Sequence, residues 1–538
     1  MHNIMLVRHQ KSVVVAFVLG AIFFGVTTKA AESPLLQAPM RAVFEKSDAF
    51  VSANRIDELL LVGLKKKGLQ PAALCSDAVF VRRVYLDVIG TLPTAEETKK
   101  FLSDATPDKR AVLIDELLDR SEFADYWAMK WADVLRVKAE FPINLWPNGA
   151  MVYYRWIHAS IRENKPFDQF ARDLLTADGS NFRDAPSNFY RAVPQKDAET
   201  IAENVALTFL GTRIGPWPEQ KRKELTAFFS RVGFKDSAEW KEEIVFWNRK
   251  PLDSPDVVFP DGAKGIVGPN QDPRAVFADW LVSPNNVAFR ENIANRLWYW
   301  LFGRGLVHDP DDFRPDNPPI YPEMLAFLGR ELTDKKFDLK SFYRLILNSR
   351  TYQQSSIPKD PKDNAEECFA VYPVRRLEAE VFQDALKRIF DLRIGYTSEV
   401  PEPFTSVPPR YRTILLPDPS ISSSFLEMFG RATRDSGLES DRNNDVTESQ
   451  QLFLLNSTEV NDWSRRFLQR YRNAGRSPQE RRRVLDDVWL TILSRYPTPA
   501  ELQRLAEGTQ GTGRQQNDNF LQDLVWALIN TKEFSCRH

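Results

Sequence analysis

Residues 91–137 read "TLPTAEETKKFLSDATPDKRAVLIDELLDRSEFADYWAMKWADVLRV", and this stretch decides the fold class. Thr94 is followed three residues later by Glu97, the spacing of a capping box at the start of a helix. Thr106 stands directly before Pro107, which predicts a second helix start with a cap and a proline at the first helical position. The stretch therefore predicts consecutive helices.

The same stretch ends in aromatic residues at a helical period. Tyr126, Trp127, Trp131 and Leu135 recur at the spacing that places side chains on one face of a helix. Such a stripe belongs to a protein core far more often than to a ligand platform. These rings are therefore predicted to be buried.

Helical spacing continues along the chain, with a proline-rich interval at residues 396–420, and is also interrupted before Asp272. The apolar runs "IVFW" (residues 244–247) and "DVVF" (residues 256–259) stand there among Pro, Gly, Asp and Asn, which predicts a small hairpin and a linker. The sequence thus predicts a mainly α protein with two helical domains, at residues 50–235 and 272–538, and a short β-hairpin and linker insert at residues 236–271.

The first thirty residues have the composition of a secretory signal. Arg8 and Lys11 precede an uncharged run, Ser12 to Thr28, which is followed by small residues. That run is short for a bilayer span, which needs about 20 apolar residues. Residues 1–30 are therefore predicted to be a signal peptide, with an uncleaved anchor as the alternative. No later stretch is apolar enough to span a bilayer, so an exported protein of the periplasm or cell surface is expected.

Charge and cysteine content limit the partners. The formal net charge is −1, and removal of the three basic residues of the signal makes it −4, which argues against nucleic acid as a partner. Cys75, Cys368 and Cys536 are far apart, so one disulfide can form in an oxidising compartment, but no spacing favours a pair. Three scattered cysteines also argue against a structural zinc site.

An ordered series of motifs resembles a known family. The series comprises "RRVYLDVIGTLPT" (82–94), "YWAMKWADVLRV" (126–137), "YRWIHASIRENKPFDQFARDLLTADGSNF" (154–182), "DPRAVFADWL" (272–281), "NRLWYWLFGRGLVHDPDDFRPDNPP" (295–319), "LLNSTEV" (454–460) and "DLVWALINTKEF" (523–534). It resembles planctomycete-type exported proteins that join a cytochrome-associated domain of unknown function to a planctomycete-specific domain of unknown function. The resemblance extends from about residue 56 to residue 538 and implies architecture more than activity.

The resemblance implies a haem site that this chain does not have. Such relatives carry a Cys-x-x-Cys-His motif between the segments that here read "FLGTRI" and "WPEQKRKELTAFFSRV", and about ten residues are missing between Ile214 and Trp217. Without two thiols and an adjacent histidine, covalent c-type haem attachment is chemically excluded. The Gly215-Pro216 turn is interpreted as the scar of a deletion, and no cofactor is expected.

Beyond the signal, only three histidines could ligate a non-covalent haem. They are His158, His308 and His538. A lone helical histidine is more often a surface or hydrogen-bonded residue than an iron ligand, and His538 at the end of the sequence is expected to be mobile. Non-covalent haem is therefore not favoured.

The most polar cluster is "HDPDDFRPDNPP", residues 308–319. Asp309, Asp311 and Asp312 are the metal candidates, because calcium binds six to eight oxygen ligands. The spacing is not that of an EF-hand, which needs a glycine turn and a closing glutamate. The alternative is that Asp and Asn before proline cap helices and stabilise turns.

Two charged groups lie in apolar surroundings. They are Arg82, Arg83 and Asp87 in one segment and Arg375, Arg376, Glu378 and Glu380 in another. Arginine forms bidentate bonds to carboxylates, so these groups are predicted to join helices at a domain interface. An anion or sugar-acid site is the alternative, although neither segment has a glycine-rich turn.

Two functional hypotheses of different class follow. No nucleophile elbow, zinc-protease motif or P-loop is present in the sequence, which favours a non-enzymatic binding or scaffold protein with partners in the cell envelope. The alternative is a hydrolase or accessory factor for complex, sulfated polysaccharides. It is motivated by 13 tryptophans, whose faces stack on sugars, although most of them are expected in the core.

Overall fold

The computed structural model describes residues 38–46, 48–359, 364–398, 400, 405–471, 477–508 and 514–538. The predicted signal, residues 1–30, lies outside these residues. The helices of the N-terminal half are α1 (Ala38–Phe44), α2 (Arg55–Lys66), α3 (Asp77–Ile89), α4 (Ala95–Ser103), α5 (Lys109–Asp119), α6 (Ser121–Val134), α7 (Pro147–Arg162), α8 (Phe167–Leu175), α9 (Asn188–Arg191), α10 (Ala198–Leu210) and α11 (Glu219–Ala227).

The C-terminal half is also mainly helical. Its helices are α12 (Pro273–Leu281), α13 (Val287–Phe302), α14 (Pro322–Asp334), α15 (Leu339–Leu347), α16 (Ala379–Phe390), α17 (Ser424–Met428), α18 (Glu448–Asn456), α19 (Thr458–Phe467), α20 (Pro478–Leu493), α21 (Pro499–Gly508), α22 (Arg514–Ile529) and α23 (Lys532–Ser535). The mainly α prediction is confirmed.

The strands form small antiparallel sheets. They are β1 (Gly179–Ser180), β2 (Val232–Asp236), β3 (Glu243–Trp247), β4 (Asp256–Val258), β5 (Lys264–Ile266), β6 (Arg375–Arg376), β7 (Thr397–Ser398), β8 (Ile421–Ser422) and β9 (Cys536–Arg537). The sheet order is β1-β3-β2 in one sheet, and β4-β5, β6-β9 and β7-β8 pair separately. Residues 232–266 therefore hold two hairpins, β2-β3 and β4-β5, and the first begins before the predicted insert.

One strand prediction is wrong in its pairing. The runs "IVFW" and "DVVF" do not pair with each other: β3 pairs with β2, and β4 pairs with β5. The segment between the two runs contains prolines at positions 251 and 255, which lack the amide donor that a strand ladder needs. Each strand instead pairs with the neighbour that a shorter turn brings to it.

The predicted helix starts have different outcomes. At α4 the capping box is confirmed, because the Thr94 hydroxyl accepts from the Glu97 amide at 3.0 Å and the Glu97 carboxylate accepts from the Thr94 amide at 2.7 Å. At α5 the cap prediction is wrong, because the helix begins at Lys109 and the Thr106 hydroxyl donates to Asp104 at 2.7 Å. The carboxylate two residues upstream thus takes the hydroxyl into a local turn.

A continuous apolar core joins the two halves of the described chain. Trp127 and Trp131 of α6 are buried, as predicted, and their rings lie 5.6 and 5.0 Å from the ring of Trp300 on α13. β9, at the end of the sequence, pairs with β6. The domain limits 50–235, 236–271 and 272–538 stay a prediction.

Two further observations concern the cysteines and the apolar character of the helices. Cys75, Cys368 and Cys536 all lie in the described part and none is bonded to another. Across the described ranges, no helix combines the length and the apolar character that a bilayer crossing needs.

Candidate functional site

The interrupted segment at Ile214–Trp217 forms a tight turn between α10 and α11. Gly211 ends α10 with a φ of 62°, and a side chain there would meet the Asn292 amide oxygen at 2.4 Å, so only glycine fits. Ile214 is buried, and its carbonyl accepts from the Trp217 amide at 2.9 Å. The turn is therefore a closed connection between two helices.

A polar cleft of about 450 Å³ opens beside this turn. Its lining residues are Gln195, Asp197, Glu199, Thr200, Glu203, Ile214, Gly215 and Arg222. Arg222 donates to the Gly215 carbonyl at 3.1 Å and so ties α11 to the turn. None of the lining residues is a cysteine, histidine, methionine or tyrosine, the side chains that ligate haem iron. The donor set of this cleft therefore does not fit a haem.

The histidines singled out from the sequence lie apart from this cleft. His158 Nε2 contacts the Asp125 carboxylate at 2.8 Å. His308 stacks on the ring of Tyr299, and burial together with the Arg304 charge lowers the pKa of His308. Each of these rings is held by its own neighbours.

His538 is packed, so the expectation that it is mobile is wrong. Its ring lies edge-on to that of Phe44 at 5.8 Å, and its main-chain oxygen accepts from Arg83 at 2.8 Å. Burial lowers the pKa of His538 to about 4, so the imidazole is neutral at pH 7.

In the acidic loop, residues 308–319, the central carboxylate already binds groups of the protein. Asp311 is buried, accepts from Arg296 at 2.6 Å and accepts from the Glu439 amide at 2.8 Å. Asp312 pairs with Arg314 at 3.0 Å, and the Asp309 side chain is 65% exposed. Within the described residues, no three His, Cys, Asp or Glu side chains converge as metal ligands would. Asp309, Asp311 and Asp312 stay untested calcium candidates, beside the alternative that this loop caps helices and stabilises turns.

The charged segments meet in a buried network centred on Asp87. This carboxylate pairs with Arg375 at 2.6 Å and with Arg537 at 2.8 Å. Glu378 pairs with Arg537 and Lys130, each at 2.6 Å. Burial alone would raise the pKa of Glu378, but the charges of Arg537 and Lys130 hold it well below its usual value. The pairing prediction is confirmed for Asp87, Arg375 and Glu378, and also for Glu380, which pairs with Arg442 at 2.6 Å.

The other members of these segments do not all form ion pairs. Arg82 donates to the carbonyls of Ile492 and Phe534 at 2.9 and 2.7 Å, and Arg83 donates to the carbonyl of Tyr352 at 2.6 Å. For these two arginines the prediction of a carboxylate partner is wrong. They join the halves through main-chain acceptors instead.

The structure also shows an aromatic surface that sequence reasoning missed. We call it the aromatic loop pair: residues 138–146, which lead into α7, and residues 237–242, the turn between β2 and β3. The rings of Trp146 and Trp240 meet edge to face at 5.1 Å, and the Lys241 Nζ lies 4.4 Å from the first ring and 5.6 Å from the second. Trp240 is 67% exposed and Phe141 is 84% exposed.

Both loops are held in strained backbone conformations. Trp146 has φ 69° and ψ 150°, a region occupied almost only by glycine, and Lys241 has φ 61°. The first loop is closed by the amides of Leu145 and Trp146, which donate to the carbonyls of Lys138 and Ala139 at 3.1 Å each. Such strain costs about 1–3 kcal/mol per residue and persists where packing enforces it.

The one signal of this aromatic surface in the sequence is a tryptophan inside the charged stretch "DSAEWKEE", outside any apolar period.

Comparison with known proteins gives two family matches. Residues 55–216 match PSCyt2, described as a protein of unknown function (DUF1549). Residues 273–508 match PSD1, described as a protein of unknown function (DUF1553). Neither a curated protein nor a solved structure matches the chain.

Proposed function

The chain joins a PSCyt2 domain to a PSD1 domain, in that order, and we propose that it is an exported, haem-free binding or scaffold protein that acts without catalysis. The partners that this function requires are components of the cell envelope.

The observation that carries the proposal is the lining of the cleft at the Ile214–Trp217 turn. It supplies three carboxylates, a guanidinium, an amide and a hydroxyl, but neither a thiol nor an imidazole. Covalent haem needs two thioethers and an axial ligand, so this lining supports the loss of the redox centre. The flanking helices α10 and α11 are both intact, so the fold on either side of the turn is retained.

The state of the buried charges supports a structural rather than a catalytic role for them. Asp87, Glu378 and Lys130 bind partners in the opposite half of the chain and are fully enclosed. A catalytic acid or base has to reach a substrate from a cleft. These groups instead join the two halves.

The absorption spectrum of the protein purified from a host that matures c-type haem tests this proposal. We expect no Soret band and no iron in stoichiometric amount. A Soret band that survives acid–organic extraction would show covalent haem and refute the proposal. A band removed by extraction would assign a non-covalent haem, with His158 and His308 as the first residues to replace.

A second candidate, a polysaccharide hydrolase, is favoured by one feature of the cleft. Glu199 and Glu203 are four residues apart on α10 and both line the cleft. Side chains at this spacing lie on one face of a helix with Cβ atoms about 5–6 Å apart, so both carboxylates can reach one ligand, as the paired acids of a glycosidase must. Release of reducing ends from sulfated polysaccharides, lost in E199Q and E203Q but kept in the control E224Q, whose side chain does not line the cleft, would establish it. No release by the unmodified protein would reject it.

A further inference from the structure

The aromatic loop pair combines an exposed ring face with a cation that has no counter-ion. Lys241 lies against both indoles, and among the described residues no carboxylate forms an ion pair with it. Its acidic neighbours are engaged elsewhere. Glu239 binds Arg183 at 3.1 Å, and Glu242 accepts from the hydroxyls of Ser180 and Ser237 at 2.5 Å each. The ammonium charge therefore remains available to an external anion.

The geometry points to a site for a sugar ring that carries an anionic group: we propose that the ring stacks on Trp240 while Lys241 binds its sulfate or carboxylate. This inference rests on the proposed function and names the ligand class of the binding protein. The apolar C–H face of a sugar is complementary to an indole face, and a charge-assisted bond to ammonium is stronger than a neutral one.

The spacing of the two groups fits such a ligand. The Lys241 Nζ lies over the Trp240 ring, 5.6 Å from its centroid, and Trp240 is 67% exposed. A sugar that stacks on the exposed part of the ring brings an equatorial substituent within reach of the ammonium. The site thus recognises two properties of the ligand: Trp240 contacts its apolar face, and Lys241 binds its anionic group.

The loops are organised before a ligand arrives. The Lys241 carbonyl accepts from the Asn181 side chain at 3.2 Å, and the Asn181 oxygen accepts from the Glu243 amide at 3.0 Å, which fixes the base of the turn. Trp146 braces the other side of Trp240 from its strained position. Preorganised aromatic side chains lose little entropy on binding, so a small contact area can give useful affinity.

Other classes of ligand fit the surface less well. Single-stranded nucleic acid also uses stacking and cations, but it requires a basic groove, and the chain has a net charge of −1. A lipid surface would use the exposed Phe141, yet one lysine supplies much less attraction to an anionic bilayer than the cluster of basic residues that such binding requires. These ligands are outcomes of the test below.

The test is calorimetric titration of the full chain with dextran sulfate, polygalacturonate and unmodified dextran. We expect binding to at least one of the polyanions and much weaker binding to dextran. The variants W240A and K241Q should each weaken that binding by about tenfold or more. Dextran sulfate and polygalacturonate distinguish a sulfate ligand from a carboxylate ligand.

Another lysine-on-indole pair provides the matched controls. The Lys221 Nζ lies 4.1 Å from the Trp217 ring, so W217A and K221Q remove the same groups at a different place. We expect these two variants to bind like the unmodified protein. Circular dichroism confirms that all four variants are folded.

Several results would overturn the assignment. They are no binding of either polyanion, equal binding of dextran, binding that W240A and K241Q leave unchanged, or a preference for oligonucleotides or for phosphatidylglycerol vesicles. Failure of the proposed function gives a different result. If the bound polymer is shortened or a Soret band appears, the non-enzymatic or haem-free function fails, while the variants still decide the sugar site.

Discussion

Replacing Asp87 by asparagine should strongly destabilise the protein. Asp87 is fully buried and receives four groups: Arg375 at 2.6 Å, Arg537 at 2.8 Å, and the hydroxyls of Tyr352 and Tyr372 at 2.8 Å each. Asparagine has nearly the same shape as aspartate, but it carries no charge. Its NH₂ group would also face the arginine and tyrosine donors that now bind the carboxylate. Breaking a buried pair in this way costs about 3–5 kcal/mol, a large part of the 5–15 kcal/mol that stabilises a typical domain.

Urea denaturation followed by tryptophan fluorescence measures this effect. We expect a lower midpoint for D87N at an unchanged slope, whereas E58Q, at an exposed ion pair of Arg55 and Glu58, should change the free energy of unfolding by less than about 0.5 kcal/mol. The double variant D87N/R375M should be more stable than the sum of its single variants predicts, because it removes both charges of one pair. A D87N protein within about 1 kcal/mol of the unmodified protein would refute the assignment of this network as the junction between the halves.

Three further predictions concern other parts of the molecule. Saturating calcium should leave the melting temperature unchanged, because Arg296 already neutralises Asp311; a rise that saturates with calcium would restore the metal site. Stability should fall as the pH drops from about 6.5 toward 4, because burial lowers the pKa of His538 to about 4 and the unfolded chain binds that proton first, so H538F should have a flatter stability profile between these values. Trp131→Ala should lower the free energy of unfolding by about 3–5 kcal/mol in urea titrations, because it empties a buried ring site; a change below about 1 kcal/mol would contradict the shared core.

Local signals in the sequence predicted local structure well. The capping box at Thr94 acts over three residues, and both of its hydrogen bonds are present. The aromatic stripe of α6 follows the helical period, and its rings are buried. The cap predicted at Thr106 is wrong because the Asp104 carboxylate accepts a hydrogen bond from the Thr106 hydroxyl. Short-range signals are readable because helix geometry relates positions three and four apart in every protein.

For residues far apart in the sequence, the kind of contact was predictable but the partner was not. Buried charges in apolar segments had to find partners, so ion pairing was expected at Asp87 and Glu378. The identity of the partners was not readable, since Asp87 and Arg375 are 288 positions apart. The same holds for Arg82 and Arg83, which use main-chain carbonyls that every residue carries. Any acceptor of suitable geometry satisfies an arginine, so only packing selects one.

The sequence by itself determined the helical class, the order of the two matched segments and the absence of the groups that attach c-type haem, because these depend on residue identity and short spacing. The tertiary structure decided that Asp311 binds Arg296 and that Trp146, Trp240 and Lys241 share one surface. Both contacts depend on the distance between the side chains in the folded chain. Electrostatic and stacking energies decay over a few ångströms, and sequence separation does not specify which residues come that close.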